Sequence, residues 1–296
     1  MKPMAFTAGL PDKGMDFSQT CLISCGSKQL DLSQPRIMGI LNLTPDSFYA
    51  GSRHNKPDEL LRKAAEMIDE GASILDLGAA STRPGAQTVS EEEEKNRLMP
   101  ALEAIVKAFP EIIISVDTFR ANIALASYNA GAGIINDISG GTLDKAMFST
   151  VAKTEAAYVL MHIKGTPETM QTNPEYSDVV SEIREFFSER ILALNQLGKH
   201  NIIIDPGFGF GKTLADNYKI MNNLDAFGSF GLPLLSGISR KSMINRVIGT
   251  APSEALNGTT VLNTISLMKG AKILRVHDVK PAMEAIKLVK EYLLQS

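Results

Sequence analysis

The chain has no tryptophan, four histidines and two cysteines in 296 residues. Lack of tryptophan excludes nothing, but the other scarcities do. Two cysteines, Cys21 and Cys25, cannot build a disulfide framework for a chain of this length. Four residues apart on an apparent strand, they share a face and read as buried thiols. His54, His162, His200 and His277 are far apart in sequence, with no H-E-x-x-H or C-x-x-C spacing, so no zinc motif is present. No G-x-S-x-G elbow occurs. No apolar run approaches the ~18 residues of a membrane span. Lys2, Pro3, Pro11, Asp12, Lys13 and Asp16 interrupt the first 17 residues, which do not read as a secretory signal. The cytoplasm is the expected compartment. With 30 Lys and Arg against 33 Asp and Glu, net charge −3, there is no basic excess of the kind nucleic-acid binders carry.

What is present is a core-forming composition, 44% hydrophobic, and a repeat. Residues 1–17 read as a loose leader, and 20–32 alternate around Gly26-Ser27 as a small hairpin. From Arg36 onward, short apolar runs recur at 37–43, 74–77, 112–116, 134–138, 156–161, 202–204, 232–238 and 273–276. Each is apolar on both faces, as in a parallel strand covered on both sides. Amphipathic stripes lie between them, at 58–70, 178–197, 214–227 and 281–294, with a weaker segment at 144–153. Ser90 and Glu93 predict a capping box opening a helix that runs to about Phe109. Alternating strands and helices demand a parallel sheet with right-handed crossovers. Eight such units in about 250 residues predict an α/β fold with a single (β/α)8 TIM barrel. A doubly wound open sheet is the rival. No linker interrupts the repeat, so the expected organisation is a leader and hairpin at 1–35 and one barrel at 36–296.

Polar groups stand at the carboxyl end of each run: Asn42, Asp76, Asp117, Asn136, His162, Asp205, Ser239-Arg240-Lys241, then Arg275 and His277. Any one could cap a helix, but a barrel gathers all eight ends at one mouth, where such enzymes hold their active sites. The second, third and sixth runs bring carboxylates; the seventh and eighth bring cations, where this fold often holds phosphate. Arg240 is the cation expected to pair structurally with a carboxylate. Asp117, Asn136, Asp205 and Lys241 together complement the amino-amide edge of a pterin or purine, the bland alternative being a mutual salt-bridge network. His200 precedes the sixth run, at the far end of the barrel, and reads as structural.

Two long loops, from Asn42 to Ser52 and from Ser81 to Ala86, are candidate lids. Pro206-Gly207-Phe208-Gly209-Phe210-Gly211-Lys212-Thr213 is neither a P-loop nor a dinucleotide fingerprint, because the glycine spacing fails for both. It reads as a tight turn presenting Phe208 or Phe210 to the mouth.

Met38-Gly39-Ile40-Leu41-Asn42-Leu43-Thr44-Pro45-Asp46-Ser47-Phe48, Ser81-Thr82-Arg83-Pro84-Gly85-Ala86, Ser115-Val116-Asp117-Thr118, Ile135-Asn136-Asp137-Ile138, the 205–212 turn, Ser239-Arg240-Lys241-Ser242 and Arg275-Val276-His277-Asp278 resemble the dihydropteroate synthase family, in its order, from about Arg36 onward. The resemblance implies condensation of 6-hydroxymethyl-7,8-dihydropterin diphosphate with 4-aminobenzoate in folate biosynthesis, with Mg2+, in a homodimer that sulfonamides inhibit. It implies that Asp76, Asp117, Asn136, Asp205, Lys241 and Arg275 bind the pterin. Asn42, Arg275 and His277 would hold the diphosphate, with Asn42 on the metal. Thr82, Arg83, Pro84, Phe210, Lys241 and Ser242 would frame the aminobenzoate. Asn42, Lys241, Arg275 and His277 would carry catalysis, by an SN1-like substitution. Two departures stand out: Ala79-Ala80 where the family usually has Gly-Glu, and Tyr49-Ala50-Gly51-Ser52 where it usually has Ser-Asp-Gly-Gly. Two other readings share the pterin pocket: a corrinoid-partnered methyltransferase of the same superfamily, which has no use for the diphosphate grip or the 81–86 loop, and a catalytically silent pterin-binding paralogue.

Overall fold

The computed structural model describes residues 22–43, 56–80 and 89–295. Residues 44–52 and 81–86 of the two candidate lids, Cys21 and the 1–17 leader lie outside the described residues. A hairpin, β1 (Leu22–Cys25) and β2 (Lys28–Asp31), precedes the barrel and turns at Gly26, whose φ of +65° suits glycine. Strand β3 (Arg36–Asn42) leads to α1 (Lys56–Asp69), β4 (Ile74–Gly78), α2 (Glu91–Ala108), β5 (Ile113–Asp117) and α3 (Ala121–Asn129). The chain continues through β6 (Ile134–Asp137), α4 (Met147–Val151), β7 (Ala157–Met161), α5 (Val179–Gln196), β8 (Ile202–Asp205) and α6 (Leu214–Asn222). It ends with β9 (Leu235–Ser236), α7 (Ser242–Ile248), α8 (Leu256–Met268), β10 (Ile273–Val276) and α9 (Val279–Leu294).

Eight strands run parallel in the order β8-β7-β6-β5-β4-β3-β10-β9. A parallel bridge between Ile204 and Leu234, with Ile204 N donating to Pro233 O at 2.9 Å, brings the two ends of the sheet together. The expected (β/α)8 barrel is therefore what the chain forms, and the open-sheet rival is excluded. The run at 232–238 forms only the two-residue β9, with Leu234 adding an isolated bridge.

Strand periodicity positions the mouth. Met38, Ile74, Ile113, Ile134, Ala157, Ile203, Leu235 and Ile273 form an apolar cluster at the amino ends of the strands. Two residues further along the same face stand Asp76, Ser115, Asn136, Asp205, Gly237 and Arg275. Ile23, Cys25, Leu30 and Leu32 of the hairpin join the apolar layer, so β1 and β2 close the bottom of the barrel. Gly26 N donates to Glu155 O at 2.9 Å, and Lys28 Nζ to Ile112 O at 2.6 Å. On the outer face Ile37, Leu75, Ile114, Leu274 and their neighbours pack against α1, α2 and α9.

Helix starts differ in one respect from expectation. Ser90 Oγ accepts from Glu93 N at 3.2 Å, but the Glu93 carboxylate turns to Arg97 one helical turn on, so only half of the predicted capping box forms. A complete box opens α6, where Thr213 and Asp216 exchange side-chain-to-backbone bonds. The stripe at 214–227 divides, α6 stopping at Asn222 and a 3-10 segment covering Leu224–Phe230.

Candidate active site

The carboxylate of Asp76, fully buried in β4, is the hub of the mouth. Ser115 Oγ donates to it at 2.5 Å, Asn136 Nδ2 at 3.2 and 3.3 Å, and Arg275 Nε at 2.6 Å. Arg275 reaches across from β10, and its Nη2 also donates to Asp117 at 2.8 Å. The expected pairing of carboxylates and cations and the expected pterin cluster thus meet in one network. Two of the five Arg275 N–H donors are engaged by carboxylates, so the diphosphate grip assigned to it would use the others. Burial opposes its charge, yet Asp76 and Asp117 hold its pKa above the ordinary value. Burial pushes Asp117 up to about 7, against the pull of Arg275 and with a push from Asp76.

Asn42, Gly78, Asp117 and Asn136 are register partners across β3 to β6. A Cβ at Gly78 would lie 3.8 Å from Asp117 Oδ2 and 3.9 Å from Asn42 Oδ1. Gly78 thus lies between the side chains of Asn42 and Asp117 at the strand ends. On the far side, Gly237 leaves room between Asp205 and Arg275, since its Cβ would stand 3.6 Å from Asp205 Oδ2. Burial raises the Asp205 pKa, while Lys241 opposes that rise and Gly207 N donates to its carboxylate at 2.7 Å.

Lys241 caps α7 by backbone geometry and points its ammonium at the carbonyl of Phe208. The same ammonium lies 4.7 Å from the centre of the Phe210 ring, a cation–π contact. Burial pushes its pKa down to about 8, opposed by Asp205. Of the two phenylalanines in the turn, Phe210 meets the mouth and Phe208 is sealed in the core. Ser242, next in the chain, is exposed at the start of α7. His277 Nδ1 lies 3.0 Å from Ser239 Oγ, which also accepts from His277 N at 3.2 Å. Arg240, in the left-handed region at φ +58°, pairs with both oxygens of Asp278 at 3.0 and 2.5 Å, so it takes the structural role assigned to it. His200 is exposed and bonded to Asn195, away from the mouth. Thr82, Arg83 and Pro84 lie outside the described residues.

Three contributors escaped sequence reasoning as site residues. Ser115 precedes Asp117 by two, and that offset could have placed it on the inward face. Glu94, buried in α2, accepts from Thr118 Oγ1 at 2.7 Å and from Arg120, bracing the strand end beside Asp117. Lys212 is buried and bonded to His162; nothing in a Gly-Lys-Thr triplet discloses that.

Comparison with known proteins matches this architecture. The family description "Pterin binding enzyme" fits residues 38–277. Dihydropteroate synthase of Escherichia coli K12 is 47% identical over 263 residues, covering 88% of this chain and 93% of its own. The crystal structure of Yersinia pestis dihydropteroate synthase with a sulfonamide drug superposes with a TM-score of 0.86 at 41% identity, covering 92% of this chain and 99% of that one. Xanthomonas albilineans dihydropteroate synthase with 4-aminobenzoic acid gives 0.86 at 36% identity, over 93% and 98%. With its barrel, its mouth and these likenesses in agreement, the chain belongs to the dihydropteroate synthase family of pterin binding enzymes.

Proposed function

We propose that the mouth joins 6-hydroxymethyl-7,8-dihydropterin diphosphate to 4-aminobenzoate, giving 7,8-dihydropteroate and diphosphate for folate biosynthesis. The Asp76–Arg275–Asp117 arrangement, with Asn136 on the same carboxylate, carries this reading. It supplies buried acceptors and an amide at hydrogen-bonding positions, which suits the amino-amide edge of a pterin. Asp205 and Lys241 complete that set. Arg275 and His277, side by side at the end of β10, would take the diphosphate. Thr82, Arg83, Pro84, Phe210, Lys241 and Ser242 would receive the aminobenzoate, with Phe210 as the apolar wall and Ser242 near its carboxylate.

The arylamine is neutral at pH 7, so attack needs no strong base. The demanding event is departure of diphosphate, which takes the electrons of the methylene C–O bond. We infer an SN1-like order: the C–O bond breaks first, the carboxylates around the pterin offset the positive methylene centre, and the amine lone pair then forms the C–N bond and sheds a proton to water. Oxygen scrambling between bridging and non-bridging positions of labelled pterin diphosphate, without aminobenzoate, tests that order. Absence of scrambling with a competent enzyme contradicts it.

Among the described residues no group of three or more His, Cys, Asp or Glu side chains could hold a metal by itself. Asn42 brings a hard amide oxygen to the end of β3, which fits a Mg2+ ion held chiefly by substrate phosphates and water. When bound there, the ion would neutralise charge on the leaving diphosphate.

The chain is a transferase of its family, and two further readings accompany that. No helix among the described residues is long and apolar enough to cross a membrane, consistent with a cytoplasmic enzyme. Val247, Ile248, Leu256, Val261, Ile265 and Leu288 are exposed on α7, α8 and α9, and we propose that a second copy of the chain covers apolar side chains of these helices. Light scattering tests the dimer: twice the 32.0 kDa chain mass is expected, and a monomer at micromolar concentration contradicts it.

Sulfonamides, as aminobenzoate mimics, are expected to compete with aminobenzoate. Noncompetitive inhibition counts against the pocket as drawn.

A further inference from the structure

The turn at 206–213 carries a buried group that the reaction does not call on. Lys212 is 4% exposed, and its ammonium is surrounded by Gly207 O at 2.9 Å, Phe210 O at 3.0 Å, His162 O at 3.2 Å and His162 Nδ1 at 3.0 Å. Two of these carbonyls belong to the turn and the third to the end of β7. One side chain therefore ties the turn to itself and to the neighbouring strand. His162 is held in turn by the edge of Phe186, ring centres 5.0 Å apart, which fixes the acceptor.

The turn needs such a tie. Gly207, Gly209 and Gly211 have φ of +70°, +82° and +63°, so the backbone occupies the left-handed region three times in five residues. It also runs so close to its neighbours that a Cβ at Gly207 would lie 2.0 Å from His162 O, and one at Gly211 2.3 Å from Lys164 O. Glycine permits this path without enforcing it. The products of the path are the Phe208 carbonyl that receives Lys241 and the Phe210 ring that lies under it.

We infer that Lys212 is a positioning residue: its ammonium clamps the glycine turn so that Phe208 O and the Phe210 ring hold Lys241 at the aminobenzoate side of the mouth. Asp76, Asp117 and Asn136 are fixed by contacts that do not include Lys212, whereas Asp205 and Lys241 of the pterin set touch the turn through Gly207 N and Phe208 O, so the clamp reaches the pterin through two of its contacts and the aminobenzoate through Phe210 and Lys241 together. This rests on the proposed reaction. Wild-type turnover tests that reaction, and the variants below are compared with wild type only once it is established.

Lys212→Met keeps the length of the side chain and removes its donors. The expected result is a KM for aminobenzoate raised about ten-fold or more, with a clearly smaller loss of affinity for the pterin diphosphate, by titration calorimetry. Lys212→Arg, which keeps a charged donor, should recover part of the loss. Should Lys212→Met not fold, His162→Gln, which changes one of the four acceptors and keeps the ammonium, is expected to show the same split at smaller amplitude. An unchanged aminobenzoate KM, an equal loss for both substrates, or a fall in kcat alone overturns the inference.

Discussion

Arg275 Nε stands 2.6 Å from a carboxylate oxygen of Asp76, a residue with no exposure to solvent. A charge buried this deeply persists only while it is paired and hydrogen-bonded. Removing the guanidinium would strand both Asp76 and Asp117.

Arg275→Met is therefore expected to destabilise the fold by about 3–5 kcal/mol in urea unfolding and to abolish turnover. Adding Asp76→Asn to it should restore part of the stability and none of the activity. If Arg275→Met alone unfolds with wild-type stability, the pair does not hold the mouth together.

Lys241 gives a pH dependence. Burial lowers its pKa to about 8, so the ammonium that faces Phe208 O, Phe210 and Asp205 loses its proton as pH rises through that value. The kcat/KM for the pterin diphosphate should fall on the alkaline side with a midpoint near 8. Lys241→Arg, which does not deprotonate, should lower the plateau and flatten that limb. A limb that persists in Lys241→Arg assigns it to another group.

His162 governs the acid side of stability. Burial, with Lys212 adding repulsion, pushes its pKa down to about 2, well below the ordinary value of 6.5. Between those values the unfolded chain binds a proton that the folded chain refuses, so stability falls as pH drops below about 6.5, by up to about 1.4 kcal/mol per unit. His162→Gln should lose stability less steeply from pH 6.5 to 4 than wild type. Parallel slopes contradict the assignment.

Gly207→Ala tests the closeness of the turn. The added methyl would meet His162 O at 2.0 Å at a φ of +70°, so at least about 2 kcal/mol of stability and most aminobenzoate affinity should be lost. Gly198→Ala is the control. Its φ of +80° carries the same backbone strain, but a Cβ there meets nothing within 4 Å, so affinity should be retained.

Most of the barrel was legible because its signal is local. Two-faced apolar runs found the strands, and polar residues at their carboxyl ends found the mouth. Asp76 and Arg275, both placed at strand ends by the sequence, do meet there, 199 residues apart in sequence. What sequence could not supply was how partners divide among themselves. Glu93 could have completed the box with Ser90 but paired with Arg97, since two geometries competed for one carboxylate. The same applies to Arg275, read as a pterin and diphosphate ligand, whose bridge between Asp76 and Asp117 no motif discloses. Lys212 stayed hidden for another reason. Nothing in the local sequence marks its partners, and only the fold brings the carbonyls of Gly207, Phe210 and His162 around it.

The most direct test of the central claim is diphosphate release by the purified full chain with 6-hydroxymethyl-7,8-dihydropterin diphosphate and magnesium, with and without 4-aminobenzoate. Sustained release that requires aminobenzoate, matched by dihydropteroate formed in equal amount and lost in Asp205→Asn, is the predicted result. Pterin binding with no aminobenzoate-dependent release would contradict the account and leave a silent pterin binder.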